Sequence, residues 1–249
     1  MSVLAAERIK LFSTRSPWWC SGSAIVIVVG FTALLAGTSP AEAGPLPFDL
    51  IGSFVQLGLM IVLVMAAVSV TTEYRFSTIR TTFQAVPNRT LLLLAKAAVV
   101  ALVAAVVGLV AAFGAWGAAV LLAPTGSLAL DSPDRWRALL GAGLVFAVAA
   151  VLAVAVGILL RQTAGAVALL LVWALLAENL VRLIPNVGEE IQRWMPFVNA
   201  DHFLTAGVGD EVEAASSMPF GPWGSLAYFA AIAAGMLVAA LVVANRRDA

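Results

Sequence analysis

The sequence predicts an all-α polytopic membrane protein with six transmembrane helices. Three observations carry this. Hydrophobic residues make up 62% of the 249 positions and charged residues 11%, whereas soluble domains are about half apolar and about a quarter charged. The mean hydropathy is +1.01. The apolar residues collect into six runs, Trp18–Gly37, Leu50–Val70, Leu91–Ala123, Ala138–Leu160, Ala164–Ile184 and Ser225–Ala244, each meeting the roughly 20 residues a bilayer-crossing helix needs. Residues 1–249 read as a single transmembrane domain.

The first run has some features of a secretory leader, because Ala41-Glu42-Ala43 resembles a small-x-small cleavage site. Its apolar core is longer than such leaders use, and the segment before it contains Glu7, so a retained span is expected. The third run is too long for a perpendicular crossing. Lys96 is expected at its inner rim, with the ammonium snorkelling to the headgroups. Ala104, Gly108 and Ala112 recur every four residues along it, followed by Gly114 and Ala118. Faces of small residues let helices approach closely in lipid. Only Arg161-Gln162-Thr163 separates the fourth run from the fifth, which implies a tight antiparallel hairpin.

Placing the amino terminus inside puts Arg8, Lys10, Arg15, Arg75, Arg80, Arg89, Lys96, Arg161, Arg246 and Arg247 on the inner side. Arg135, Arg137, Arg182 and Arg193 fall outside. This bias orients both termini to the cytoplasm. The formal net charge is zero, so no global field attracts nucleic acid. Cys20 is the sole cysteine, which excludes a disulfide within the chain.

The inner loop TTEYRFSTIRTTFQAVPNRT, residues 71–90, reads as a helix over Glu73–Val86. Phe76, Ile79, Phe83 and Val86 form one apolar stripe. Glu73 falls in the first turn, where the helix dipole favours a carboxylate, and Pro87 stops the helix. The helix is too short and polar to span. Spacing alone leaves two readings equal: a helix lying on the inner leaflet, or a knob presented to a cytoplasmic partner.

Several chemistries find no residues here. Neither Lys10 nor Lys96 ends a G-x-x-x-x-G-K-[ST] run, so there is no phosphate-cradling loop. His202 is the only histidine, beside Asp201 in an outer loop, which excludes multi-histidine metal sites. No G-x-S-x-G elbow occurs. Glu178 is the one acidic residue clearly within an apolar run, and at bilayer depth such a group costs about 2.5–3.5 kcal/mol. Arg182 stands four residues later, in the favourable order for a helical pair. The pair is either a partly hydrated couple near the outer headgroups or a polar point in a translocation path or subunit interface. The outer segment Pro185–Gly224 carries Trp194, Phe197, Phe203, Phe220 and Trp223, which suit a membrane interface. Ile191, Trp194, Met195 and Val198 can line one face of a short helix there. Its acidic end, Asp210-Glu211-Val212-Glu213, suits a surface loop.

The inner loop resembles the first cytoplasmic loop of the ABC-2 type permease family, the membrane subunits of bacterial ABC exporters. The similar residues are Thr72-Glu73-Tyr74-Arg75, Thr78-Ile79-Arg80-Thr81-Thr82, Pro87, Arg89 and Lys96. Glu7-Arg8-Ile9-Lys10-Leu11, then Thr14-Arg15-Ser16 and Trp18, is similar to the family's N-terminal amphipathic helix, and Arg246-Arg247-Asp248 to its closing motif. The resemblance implies a cytoplasmic coupling helix between spans 2 and 3, with Glu73, Tyr74, Arg75, Ile79 and Arg80 docking an ABC ATP-binding subunit. It also implies outer re-entrant or interfacial helices between spans 5 and 6. Implied partners are that subunit, a second permease copy in a homodimer or heterodimer, and membrane lipids. The chain itself would bind no cofactor, ATP and Mg belonging to the ATPase subunit, and it would lie in the bacterial inner membrane. Two other classes stand beside this one: an intramembrane enzyme acting on lipid or peptide through Glu178 and outer-loop carboxylates, and a non-transporting anchor or assembly factor.

Overall fold

The computed structural model describes residues 3–39, 47–85, 88–123, 128–208 and 218–246, except for the side chains of Arg80, Phe83 and Ala85. All regular structure among these residues is helical. Ala41–Ala43, Val86, Pro87, Asp210–Glu213, Arg247 and Asp248 lie outside the described residues.

The described helices are α1 (Val3–Ser13), α2 (Arg15–Thr38), α3 (Asp49–Arg75), α4 (Thr78–Ala85), α5 (Arg89–Leu122) and α6 (Pro133–Leu160). They continue with α7 (Thr163–Val181), α8 (Gly188–Gln192), α9 (Pro196–Thr205) and α10 (Pro222–Arg246). Six of these, α2, α3, α5, α6, α7 and α10, are long and apolar enough to cross a membrane. They overlap the six apolar runs and each begins before its run; α3 also continues into polar Thr71–Arg75, whereas α7 stops at Val181, short of the expected Ile184. At roughly 1.5 Å per residue, the 34 residues of α5 make it the longest element.

One end of the bundle, here the base, gathers the starts of α2, α5 and α7 and the ends of α3, α6 and α10. There Arg89 Nη1 donates to the Ala244 carbonyl and Asn245 Nδ2 to Thr90 Oγ1. The opposite end, the crown, holds α8 and α9. Helix starts carry their own signals. Asn88 caps α5 by accepting from the Leu91 amide, and Ser132 caps α6 by accepting from the Arg135 amide, with Pro133 in the first turn, as orphan amides require. Arg161, in left-handed conformation at φ 55°, closes α6, and α7 begins two residues later.

The core centres on α6, buried along most of its length against α3, α5 and α10. Small residues make this possible. A Cβ on Gly108 would lie 2.7 Å from Phe146 Cγ and 2.9 Å from the Ala142 carbonyl oxygen. Ala104 and Ala112 are buried on the same face, so the expected small-residue stripe of the third span forms its seam with α6. Gly157 likewise brings α6 close to α3, where a Cβ would lie 2.5 Å from Val70 Cγ1 and 3.3 Å from the Ala67 carbonyl oxygen.

The inner loop departs from expectation. Residues 73–75 finish α3, Phe76 and Ser77 break the chain, and α4 starts at Thr78. Ser77 takes φ 57°, which no helix continues through. A single helix over Glu73–Val86 therefore does not form. Phe76 is 68% exposed while Ile79 is buried, so these two do not share a face.

Candidate functional site

At the base, four charged side chains from three helices meet. Lys96 Nζ of α5 lies 2.5 Å from Glu7 Oε2 of α1 and 2.8 Å from Glu73 Oε1 of α3. Lys10 Nζ of α1 lies 2.7 Å from the same Glu73 oxygen and 3.7 Å from Glu7 Oε1. Glu7, Glu73 and Lys96 are buried. Two carboxylates against two ammoniums make the cluster neutral, the condition under which buried charge is tolerated. Lys96 does not reach for headgroups: its partners are inside the protein.

The cluster extends to α4. Lys10 Nζ donates to Thr82 Oγ1 at 3.2 Å. Thr78 Oγ1, at the start of α4, donates to the Glu73 carbonyl at 3.4 Å, and Ile79 is buried. The short helix is thus wired to α1, α3 and, through Lys96, α5. A hollow of about 360 Å³ lies between α4 and the α1–α2 junction, lined by Lys10, Met65, Thr72, Glu73, Phe76 and Lys96 among others.

The five residues expected to dock a partner separate into distinct environments. Arg75 is exposed, its guanidinium 5.5 Å from the centre of the equally exposed Phe76 ring. Tyr74 is half-buried, with the Arg161 guanidinium 5.1 Å from its ring centre. Glu73 and Ile79 face the interior. The Arg80 side chain lies outside the described set.

At the crown, Glu178 and Arg182 do not come together. Arg182 is exposed, while Glu178 is 2% exposed. The Glu178 carboxylate instead accepts from the backbone amides of Phe197 at 3.2 Å and Val198 at 2.9 Å. These are the second and third residues of α9, where orphan amides and the helix dipole favour a negative charge. A π-helical turn, Val172–Ala177, immediately precedes Glu178; such turns shift the phase of the residues that follow. Arg137 of α6 holds the other end of α9, donating to the carbonyls of Phe203 and Ala206 and to Asp134.

Between these ends α9 is deeply seated. Phe197, Ala200 and Phe203 are buried, and Gly141 of α6 leaves the room that Phe203 fills, since a Cβ there would lie 2.6 Å from its ring. His202 Nδ1 shares a hydrogen bond of 3.0 Å with Ser225 Oγ of α10. Burial holds the imidazole below its ordinary value of 6.5, and the Arg137 guanidinium adds to the effect. The expected helical face of Ile191, Trp194, Met195 and Val198 is broken, because α8 ends at Gln192 and α9 begins at Pro196. Trp194 instead stacks edge-on against Phe220 and Tyr228.

Sequence reasoning missed the base cluster. Its signal was present, since a lysine inside an apolar run requires partners. The partners stand 23 and 89 residues away, beyond what periodicity detects. No protein-family model matches the chain, and comparison with curated proteins finds no match.

Proposed function

We propose that the chain is the membrane-spanning permease subunit of an ATP-driven exporter of the ABC-2 type. It works in a bacterial inner membrane with the base on the cytoplasmic side. A second permease copy completes the pathway, and separate ATP-binding subunits, carrying ATP and Mg, dock at the base. The cargo class is amphiphilic: drug, antibiotic, lipid or peptide.

The observation that supports this reading is the wiring of α4. A push on that helix is delivered through Lys10 and Glu73 to α1, α3 and α5, so closure of a partner below would move three helices together. In this reading Arg75 and Phe76 form the contact surface, and Glu73 and Ile79 position it. Such a surface, an exposed arginine beside an aromatic ring, is of the kind enriched at interface hot spots.

Affinity purification of the full chain from native membranes tests the reading. An ATP-binding subunit is expected to accompany it, and Arg75→Glu with Phe76→Ala to reduce that recovery at least tenfold without lowering membrane levels. Recovery of no nucleotide-binding protein, or unchanged recovery with the double variant, overturns the proposal.

A further inference from the structure

The outer surface of α1, α2 and α5 carries an open groove of about 830 Å³, within the size range of ligand pockets, walled by Leu4, Phe12, Trp18, Ala98, Leu102 and Val106 among others. Its lining is almost wholly apolar, and among the described residues Arg8 is its one charged member. Three features give the groove a polarity and a length. Arg8 lies on α1 beside Glu7, which pairs with Lys96, so the cation stands level with the base-side part of α5, about two turns from its start at Arg89. Glu7 and Lys10 turn into the buried cluster, and among the described residues no carboxylate lies within ion-pair distance of Arg8. The α5 wall runs from Ala98 to Val107, about 14 Å of helix at 1.5 Å per residue, close to the half-thickness of a hydrocarbon core of about 30 Å.

Trp18 and Trp19, both exposed at the α1–α2 junction, sit at the same end as Arg8. Exposed tryptophans mark the headgroup level of membrane proteins. The groove thus starts at headgroup depth with a cation that no described carboxylate pairs, and runs one leaflet deep between apolar walls.

We infer that this groove holds an anionic glycerophospholipid of the base-side leaflet, its phosphate on Arg8 and one acyl chain along α5. The guanidinium supplies charge-assisted hydrogen bonds to the phosphate, and Leu102, Val103 and Val106 replace neighbouring lipid tails around the chain. This lipid is a retained ligand, distinct from any cargo, and the inference does not depend on the exporter reading.

Native mass spectrometry of the full chain, purified in detergent and given equal phosphatidylglycerol and phosphatidylcholine with identical tails, tests it. The wild-type chain is expected to retain phosphatidylglycerol about fivefold better, the factor one basic residue is worth near a charged lipid surface. Arg8→Gln should remove the preference, Arg8→Lys should keep most of it, and Arg246→Gln, at the end of α10, which contributes nothing to the groove lining, should leave it unchanged. Ala98→Trp, an exposed position that narrows the groove, should lower retention of both lipids. Equal retention of the two lipids by the wild-type chain, a preference that survives Arg8→Gln, or undiminished binding with Ala98→Trp overturns the inference.

Discussion

Glu178 and Arg137 grip opposite ends of the same helix. The carboxylate accepts two amides at the start of α9, and the guanidinium donates to two carbonyls at its end. Each charge complements the pole it meets. A ten-residue helix of such length is marginal by itself, so its order depends on these two anchors and on the apolar face it buries.

Glu178→Gln keeps one acceptor oxygen where two are used. The expected loss is about 1–2 kcal/mol, the range of a cap removed together with a charge-assisted bond. Hydrogen exchange over residues 196–205 should accelerate while the six spans keep their protection. Unchanged exchange in α9 would show that Glu178 does not anchor it.

The base cluster is sensitive to the removal of one sign. Lys96→Met leaves Glu7 and Glu73 buried with Lys10 alone, and breaking a buried pair in this way costs about 3–5 kcal/mol. The melting temperature should fall sharply. Lys96→Met combined with Glu7→Gln restores charge balance and should recover part of the loss. A double variant as unstable as the single one would mean that packing, not charge, holds the cluster.

Acid should loosen the crown through His202. Its folded-state value lies below the ordinary 6.5, so below that pH the unfolded chain binds the proton more readily than the native one. Stability is therefore full above pH 6.5 and declines as pH falls beneath it. Thermal melts at pH 7.5 and 5.5 should differ more for the wild-type chain than for His202→Gln, whose amide does not titrate. Equal differences in the two proteins would remove His202 as the source.

Gly108, at the α5–α6 seam, should not tolerate a side chain, whereas Gly117 on the same helix should. Gly108→Leu forces side-chain atoms into Phe146 and the Ala142 carbonyl, where a Cβ alone would already clash, and should cost about 1–3 kcal/mol or more. Gly117→Ala meets nothing within 4 Å and should change stability by less than about 0.5 kcal/mol. Melting both variants beside the wild-type chain measures the contrast.

Sidedness is open to direct chemistry. With Cys20→Ser as background, a cysteine at Ser77 should react with an impermeant thiol reagent only from the cytoplasmic face. One at Asn186 should react only from the opposite face. The reverse pattern would invert the molecule and with it the docking reading.

The six spans were visible in the sequence because apolar run length alone reports them. Their ends were not, since Thr71–Arg75 is polar yet helical, held by the burial of Thr71 and Glu73. The small-residue stripe at Ala104, Gly108 and Ala112 was also visible, because helical period determines which residues share a face. The break at Ser77 was hidden: a serine seldom adopts positive φ, and no local signal demands it there. Glu178 stood out as a polar residue in an apolar run, but its partner proved to be the backbone of a helix 19 residues on. Side-chain patterns point to other side chains, and backbone amides leave no mark in a sequence.

The connection between α6 and α7 consists of Arg161 and Gln162 alone. A joint that short has no slack to pay out, so neither helix can slide along or tilt away from its neighbour at the base by more than a fraction of a turn. Whatever cycle the bundle performs, these two rods must travel as a single piece, and the play needed to open a passage has to be found among the helices joined by longer connectors.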